Sequence, residues 1–422
     1  MKKMYFIFIT TFFLITLKII YPQGPEWIRY SRLFFPFQVE AIVIDSSGYK
    51  WIGTYDNGLV RFDGNNWIIF KNELLGWNVR TIAIDLNENI WIGTFEAGIE
   101  KFDGSNWIPY YNSNSGMPDN IVNSIVIDGN DNKWIGTYSG GLVKFDGTNW
   151  IVFNTSNSGL CHNLIYSLAI DKKNNKWIGT SNGLAKFDGS KWTIFNRSNS
   201  GLTDNCIYSI AIDEIGNKWI GTEYGGLAKF DDTTWTIYNS LNSGLPDNSI
   251  LEIVIDNNNN KWIGTFRGGL AKFDGINWIV YNQSNSELPS NWVSSIAIDK
   301  MGNKWIGCTN GLIHLAIYRE GGVVSVTKED ILLNHNSFNL SQNYPNPFNP
   351  TTTIRYQIPK AGFVYLKVYD ILGKVVATLV NEEKPAGNYE YKFDGANLPS
   401  GVYFYRLQAG DYSSVRKMIL VK

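Results

Sequence analysis

Ser124-Ile-Val-Ile-Asp-Gly-Asn-Asp-Asn-Lys-Trp-Ile-Gly-Thr-Tyr-Ser-Gly-Gly-Leu-Val-Lys-Phe-Asp-Gly-Thr-Asn-Trp-Ile-Val-Phe153 contains four short strand-like runs, Ser124–Asp128, Lys133–Thr137, Gly141–Phe145 and Asn149–Phe153. Turn residues separate them: Asp128-Gly-Asn-Asp-Asn132, then Ser139-Gly-Gly141, then Asp146-Gly147, so the unit reads as an antiparallel meander. Trp-Ile-Gly recurs at Trp51, Trp91, Trp134, Trp177, Trp219, Trp262 and Trp305, in steps of 40, 43, 43, 42, 43 and 43 residues. Four strands every 40–45 residues is the period of a propeller blade, so a seven-bladed β-propeller is predicted. Apolar residues occupy both alternation positions of Trp150-Ile-Val-Phe153, as stacking between two neighbouring blades requires. Gly136, two residues after Trp134, shares its face and recurs in every unit, which predicts that a neighbouring large ring fills the space.

The fourth-strand tryptophan has six copies, Trp67, Trp107, Trp150, Trp192, Trp235 and Trp278. Upstream, Glu26-Trp-Ile-Arg-Tyr30 matches that strand, whereas the last unit runs out after Gly311-Leu-Ile-His-Leu315. Trp27 is therefore expected to close the seventh blade from the N-terminus and hide the open sheet edge.

The 422-residue chain is 44% hydrophobic and 15% aromatic, enough for a large β core, and its formal charge of −1 with no basic stripe excludes a nucleic-acid footprint. Cys161, Cys206 and Cys308 fall at unrelated repeat positions and read as unpaired. Met1-Lys-Lys3 followed by a mostly apolar run from Met4 to Leu17 is too short to span a bilayer and predicts a signal peptide over 1–22, cut between Tyr21 and Gly24. With no second apolar segment, the mature protein is expected to be exported without a membrane span. The propeller is assigned to 23–315, a polar linker to 316–337, and a second domain to 338–422. In the latter, Tyr344-Pro-Asn-Pro-Phe-Asn-Pro350 forms an extended lead-in to alternating strands such as Val364–Tyr369, Asn388–Phe393 and Val402–Leu407, the pattern of a small Ig-like β-sandwich.

This tail resembles the type A C-terminal sorting domain of cargo of the type IX secretion system in Bacteroidetes-like Gram-negative bacteria. The resemblance rests on Tyr344-Pro-Asn-Pro-Phe-Asn-Pro350, Val368-Tyr-Asp-Ile-Leu-Gly-Lys374, Leu398-Pro-Ser-Gly-Val-Tyr-Phe-Tyr405 and Lys417-Met-Ile-Leu-Val-Lys422. It implies that Tyr344, Pro345, Asn346, Pro347, Gly373, Gly401, Lys417 and Lys422 belong to the sorting signal, and that the secretion machinery is a partner. It also implies that the cargo is released or held at the outer surface. The repeats are similar to the two-component-regulator propeller repeat, most clearly in Asp299-Lys-Met-Gly-Asn-Lys-Trp-Ile-Gly307. That family senses ligands for hybrid histidine kinases and is often associated with glycan uptake. This chain carries one ring and no kinase or receiver sequence, so only a ligand-reading propeller is implied.

Seven acids, Asp45, Asp85, Asp128, Asp171, Asp213, Asp256 and Asp299, recur at one strand end beside Asn and Gly, which is the setting of an Asx turn rather than of a catalytic pair. Asp128-Gly-Asn-Asp-Asn132 and Asp256-Asn-Asn-Asn-Asn260 lack the closing Glu of a calcium loop, and His162, His314 and His335 have no ligand or triad spacing. No metal, cofactor or catalytic residue is assigned. The informative positions are those where the repeats disagree, in loops that a meander opens on one face. The short loops offer Tyr55, Asp56, Phe95, Glu96, Tyr138, Glu223, Tyr224, Phe266 and Arg267, and the blade-to-blade loops add Trp77 and Trp292. Trp77 aligns with Asn120, Asn163, Asn205, Asn248 and Asn291 of the other units. Aromatic planes with interspersed charges suit a glycan or a surface protein, in a non-catalytic binding module. The alternative is a propeller-based polysaccharide lyase or glycoside hydrolase, for which Glu96, Glu223 and Asp56 are the candidate carboxylates. A third reading is a passive adhesive element.

Overall fold

The computed structural model describes residues 26–30, 37–64, 66–71, 73–310, 314–320, 339–340, 343, 346–385, 387–410 and 412–421. The expected signal peptide, most of the linker, Tyr344, Pro345 and Lys422 lie outside them. The chain divides into two compact units, one through residue 322 and one from 323.

The first unit holds seven four-stranded antiparallel sheets, six of them simple meanders such as Val122–Ile127, Lys133–Thr137, Leu142–Phe145 and Trp150–Phe153. The seventh is built from both ends of the chain: Glu26–Tyr30 pairs with Leu315–Arg319, with Trp27 opposite Tyr318. Its third strand begins later than the repeat suggests. Gly311-Leu312 imitates the Gly-Leu pair that opens other third strands, yet here His314 takes the glycine's place, its carbonyl accepting the Cys308 N–H at 2.8 Å as Gly58 accepts that of Thr54 at 3.0 Å. The blade therefore runs to Arg319, past the expected start of the linker.

Each second-strand indole is buried and donates Nε1–H to the recurrent aspartate six residues earlier, from 2.8 Å in Trp51–Asp45 and Trp91–Asp85 to 3.1 Å in Trp305–Asp299. The same carboxylate closes its own turn, as Asp128 Oδ1 does by accepting the Asn130 and Asn132 N–H groups at 3.0 Å. The acids are thus structural, and each clips a turn to a core ring. Between blades, the lysine that opens one second strand lies over the indole of the blade before it: Lys133 over Trp91 at 5.0 Å, Lys176 over Trp134 at 4.6 Å and Lys304 over Trp262 at 4.5 Å. Lys50 over Trp305 at 4.9 Å carries the pattern from the seventh blade to the first. Desolvated pairs of this kind stabilise by about 2 kcal/mol each. The recurrent glycine does not face a ring as expected. A Cβ on Gly136 would come within 2.5 Å of Ile165 Cγ2, the β-branched residue that opens the next blade's first strand, and Gly307 stands in the same relation to Val39. Ser294 Oγ donates to the Val39 carbonyl at 2.6 Å and Ile42 N–H to Ser295 Oγ at 3.0 Å, so the seventh sheet meets the first as the others meet their neighbours. The three cysteines are free, as expected, and Cys308 is fully buried.

One seam departs from the rule. Blade two has Ile90 where six other units have Lys, and buried Glu100 where they have Val60, Val143, Ala185, Ala228, Ala271 and Ala316. Its Oε1 accepts the Leu75 and Gly76 N–H groups at 3.0 and 3.3 Å, holding the short loop that precedes Trp77. Burial pushes the Glu100 carboxyl above its usual range, with those two N–H groups opposing. A raised folded-state value means that the group's favourable contribution is present below the ordinary glutamate range and is lost as pH rises through the raised value. Glu100→Gln is therefore expected to be at least as stable as the parent at pH 7 and to lose the parent's gain in stability toward pH 5. Glu100→Ala, which leaves two buried N–H groups without an acceptor, is expected to cost about 2 kcal/mol. Urea unfolding across this pH range reads both, and a parental pH profile in Glu100→Gln would disprove the assignment.

The second unit is a sandwich. Asn339–Leu340, Thr351–Ile358 and Gly387–Asp394 form one sheet, and Val375–Lys384, Gly362–Tyr369, Gly401–Ala409 and Tyr412–Leu420, in that order, form the other. Ile354, Tyr356, Leu366, Tyr405 and Leu420 share one core. Asn346 Oδ1 accepts the Ile419 N–H at 2.8 Å and Phe348 exchanges backbone bonds with Ile419 and Val421, so the lead-in straps the last strand. Among the expected sorting residues, Asn346 and Pro347 lie in this strap, Gly373 adopts φ +80° in a turn, Gly401 opens a strand and Lys417 lies in the last one.

Candidate functional site

Strand alternation builds the site. In each first strand the opening residue is Val or Ile and packs on the preceding blade's glycine, as Val79 does on Gly53. Its neighbour points the other way, into the mouth of the ring. These second residues vary, with only tyrosine occurring twice: Glu40, Arg80 and Asn123 come from blades one to three, and Tyr166, Tyr208, Leu251 and Ser294 from blades four to seven. All seven line one cavity of about 840 Å³ together with loop residues that include Glu223, Tyr224, Phe266, Arg267, Trp292 and Thr309.

The mouth has a polar sector and an aromatic sector. In the first, Arg80 Nη1 donates to Asn123 Oδ1 at 2.8 Å, and Asn123 Nδ2 donates to the Ile165 carbonyl at 2.8 Å, so three blades share one chain of bonds. The guanidinium lies 4.3 Å from the centre of the Phe95 ring. Burial pushes Arg80 down from its ordinary value, and Glu40, then Tyr55 and Tyr138, oppose it. Burial likewise pushes Glu40 up, with Arg80 opposing.

In the aromatic sector Tyr166 and Tyr208 meet edge to face at 4.8 Å, and Phe266 and Trp292 do so at 4.4 Å, with Arg267 4.9 Å from the Phe266 centre. Glu223 lies in the same sector near Tyr208, Tyr224 and Cys206, and its charge pushes all three upward. Burial and then Glu223 push the Cys206 thiol up to about 12, and burial raises Tyr166 to about 12 and Tyr208 further. Raised values of this kind favour the protonated thiol and phenols at neutral pH. Thr309, 7% exposed and bordering Trp292, leaves its Oγ1 without a partner. The sector offers stacking faces and neutral donors, and among the described residues no His, Cys, Asp and Glu group is placed to hold a metal ion.

Glu223, Tyr224, Phe266, Arg267 and Trp292, singled out from the sequence, line this cavity; Tyr55, Trp77, Phe95, Glu96 and Tyr138 do not. Phe95 borders it through its contact with Arg80. Trp77 is separate and 56% exposed, with the Lys71 ammonium 4.9 Å from its ring centre. Its carbonyl accepts the Gly58 N–H as that of Asn120 accepts the Gly98 N–H, so the two positions are equivalent. Of the three carboxylates weighed for catalysis only Glu223 reaches the cavity. The reading of loops alone missed the first-strand positions, although six residue types across seven blades beside an invariant Val or Ile were there to be read.

No curated protein matches the chain in sequence. Among solved structures it is similar to the extracellular domain of the hybrid two-component system BT3049 from B. thetaiotaomicron, at 19% identity and a TM-score of 0.62 over 94% of this chain and 57% of that one. It is also similar to PorZ, a surface component of the type-IX secretion system of Porphyromonas gingivalis, at 19% identity and a TM-score of 0.56 over 91% of this chain and 59% of that one. Virginiamycin B lyase from Staphylococcus aureus is similar at 12% identity and a TM-score of 0.58, over 70% of this chain and 99% of that one. The chain spans less than two thirds of the length of the first two, and at these identities the likeness is one of fold. Residues 342–422 match the family described as the secretion system C-terminal sorting domain. The second unit is thus a sorting domain on a β-propeller, and it marks the chain for export to the outer surface or the medium.

Proposed function

We propose that the chain is an exported, non-catalytic binding module of the type IX system, organised as signal peptide, ring, linker and sorting domain, and that the ring reads a glycan at its channel mouth. The observation that carries this reading is the cavity to which every blade contributes a first-strand side chain, with only tyrosine occurring twice. Sugar rings stack on Trp, Phe and Tyr faces, and their hydroxyls pair with Arg80, Asn123, Tyr208 and the partnerless Thr309 hydroxyl. A lyase or hydrolase has less support, because of the three carboxylates considered for it only Glu223 lines this cavity.

Incubating the purified mature chain with a panel of polysaccharides tests this, by measuring both retention on the polymer and release of new sugar ends. Retention without release is expected. Trp292→Ala is expected to weaken retention by at least tenfold, as hot-spot aromatics do, and Trp77→Ala by less than threefold. New sugar ends would make the module an enzyme, and equal effects of the two substitutions would move the site off the channel mouth.

A further inference from the structure

Arg80 is a half-buried cation at the channel mouth, and among the described residues it forms no ion pair. Of the charged groups Glu40 acts on it most strongly, without reaching ion-pair distance, and burial disfavours the charge of both. A desolvated charge is ordinarily paired, so this guanidinium is held for an anion that the chain does not supply. Its position is fixed from two sides. Nη1 donates to Asn123 Oδ1 at 2.8 Å, the Asn123 amide is itself anchored on the Ile165 carbonyl, and the Phe95 ring lies 4.3 Å away. The remaining N–H groups of the fork have no acceptor among the described residues, and a planar carboxylate fits such a fork with two parallel hydrogen bonds.

A second guanidinium lines the same cavity from blade six. Arg267 lies over Phe266 at 4.9 Å, is exposed, and likewise forms no ion pair among the described residues. Asp247, the acid beside it, closes its own loop instead: Oδ1 accepts the Ser249 N–H at 3.0 Å and Oδ2 the Arg267 N–H at 2.7 Å. Glu223, the other carboxylate on this side, stands with Tyr208 and Tyr224, whose phenols its charge pushes up. One cavity therefore combines two unpaired arginines from separate blades with the stacking faces of Tyr166, Tyr208 and Trp292. A chain of sugar rings that carries a carboxylate at each repeat meets both features.

We propose that the ring selects glycans built of uronic acids: Arg80 takes the carboxylate of one sugar in a bidentate pair, the aromatic sector stacks adjoining sugars, and Arg267 takes a second carboxylate. This rests on the glycan reading above and replaces a sugar hydroxyl at Arg80 by a carboxylate.

The test titrates the purified mature chain with oligogalacturonates, with their methyl esters, and with dextran sulfate and polyglutamate as anions that lack a uronic acid. Oligogalacturonates are expected to bind at least about tenfold more tightly than the esters, which keep every ring and hydroxyl and lose only the charge. Arg80→Ala is expected to remove most of that preference while leaving ester binding within about twofold, and Arg80→Lys, which keeps the charge without the fork, to restore it only in part. Arg267→Ala, at an exposed position that leaves folding untouched, is expected to weaken oligogalacturonate binding by about threefold, the size of an exposed pair. Equal binding of acid and ester overturns the proposal and leaves the glycan reading standing, whereas failure to bind any sugar polymer overturns both. Full acid preference in Arg80→Ala with a parental unfolding midpoint, or dextran sulfate or polyglutamate bound as tightly as the oligogalacturonates, also overturns it.

Discussion

Deleting residues 26–30 is expected to abolish cooperative folding of the ring and yield an aggregating chain, although the strand is only five residues long. The reason is where its side chains go. Trp27 packs 4.8 Å from Tyr318 and 5.6 Å from Tyr281, which joins the seventh blade to the sixth. Tyr30 packs against Trp305 at 6.1 Å and against Phe62 and Trp67 at 5.8 and 5.3 Å, which joins the seventh blade to the first. Without the strand, Leu315–Arg319 becomes an unpaired edge carrying Ala316 and Ile317. A domain stable by about 5–15 kcal/mol has little margin for such a loss. Trp27→Ala alone is expected to cost about 3 kcal/mol, at the low end for large aromatic truncation because the ring is only partly buried. Denaturant unfolding followed by tryptophan fluorescence checks both variants, and an unchanged midpoint after deletion would mean that the ring holds without its N-terminal strand.

The repeat was legible because seven copies average out local noise, and Trp27 could be placed because a count of six against seven left a gap to fill. What escaped notice lies between blades. Gly136 and Trp134 share a face, which is visible in one strand, but the atoms that meet the glycine belong to Ile165, on the next blade, and no single-strand pattern names them. The Gly311-Leu312 imitation misled for the opposite reason: a local match outweighed the pairing that selects His314-Leu315. At the site, Trp292 and Phe266 stood out as rare residues in variable loops. Tyr166, Tyr208 and Arg80 did not, since in a strand of mixed composition only the geometry of the ring separates a residue facing the channel from one facing the next blade.

Asp128→Ala is expected to cost about 4 kcal/mol, far more than a turn residue ordinarily does. It removes the acceptor from the Asn130 and Asn132 N–H groups, from Asn132 Nδ2 at 2.9 Å and from Trp134 Nε1 at 2.9 Å, and it leaves buried Lys176 without the carboxylate 3.7 Å away. Breaking a buried pair by removing one partner costs about 3–5 kcal/mol. Asp128→Asn retains an oxygen acceptor and is expected to lose about half as much. The pair also predicts acid sensitivity. Burial pushes the carboxyls of Asp85, Asp128, Asp171, Asp213 and Asp256 upward, but the indole, Asn and backbone N–H donors outweigh it and hold them below the ordinary range. A depressed folded-state value gives stability that is present above the unfolded-state value of about 4 and lost as pH falls through the folded one. Five such groups acting together make the ring lose stability steeply below about pH 4, and Asp128→Asn, with one fewer, is expected to show a shallower fall. Equal slopes in parent and variant would mean that Asp128 does not titrate with unfolding, and that its clip on Trp134 holds as a neutral hydrogen bond instead of a charged one.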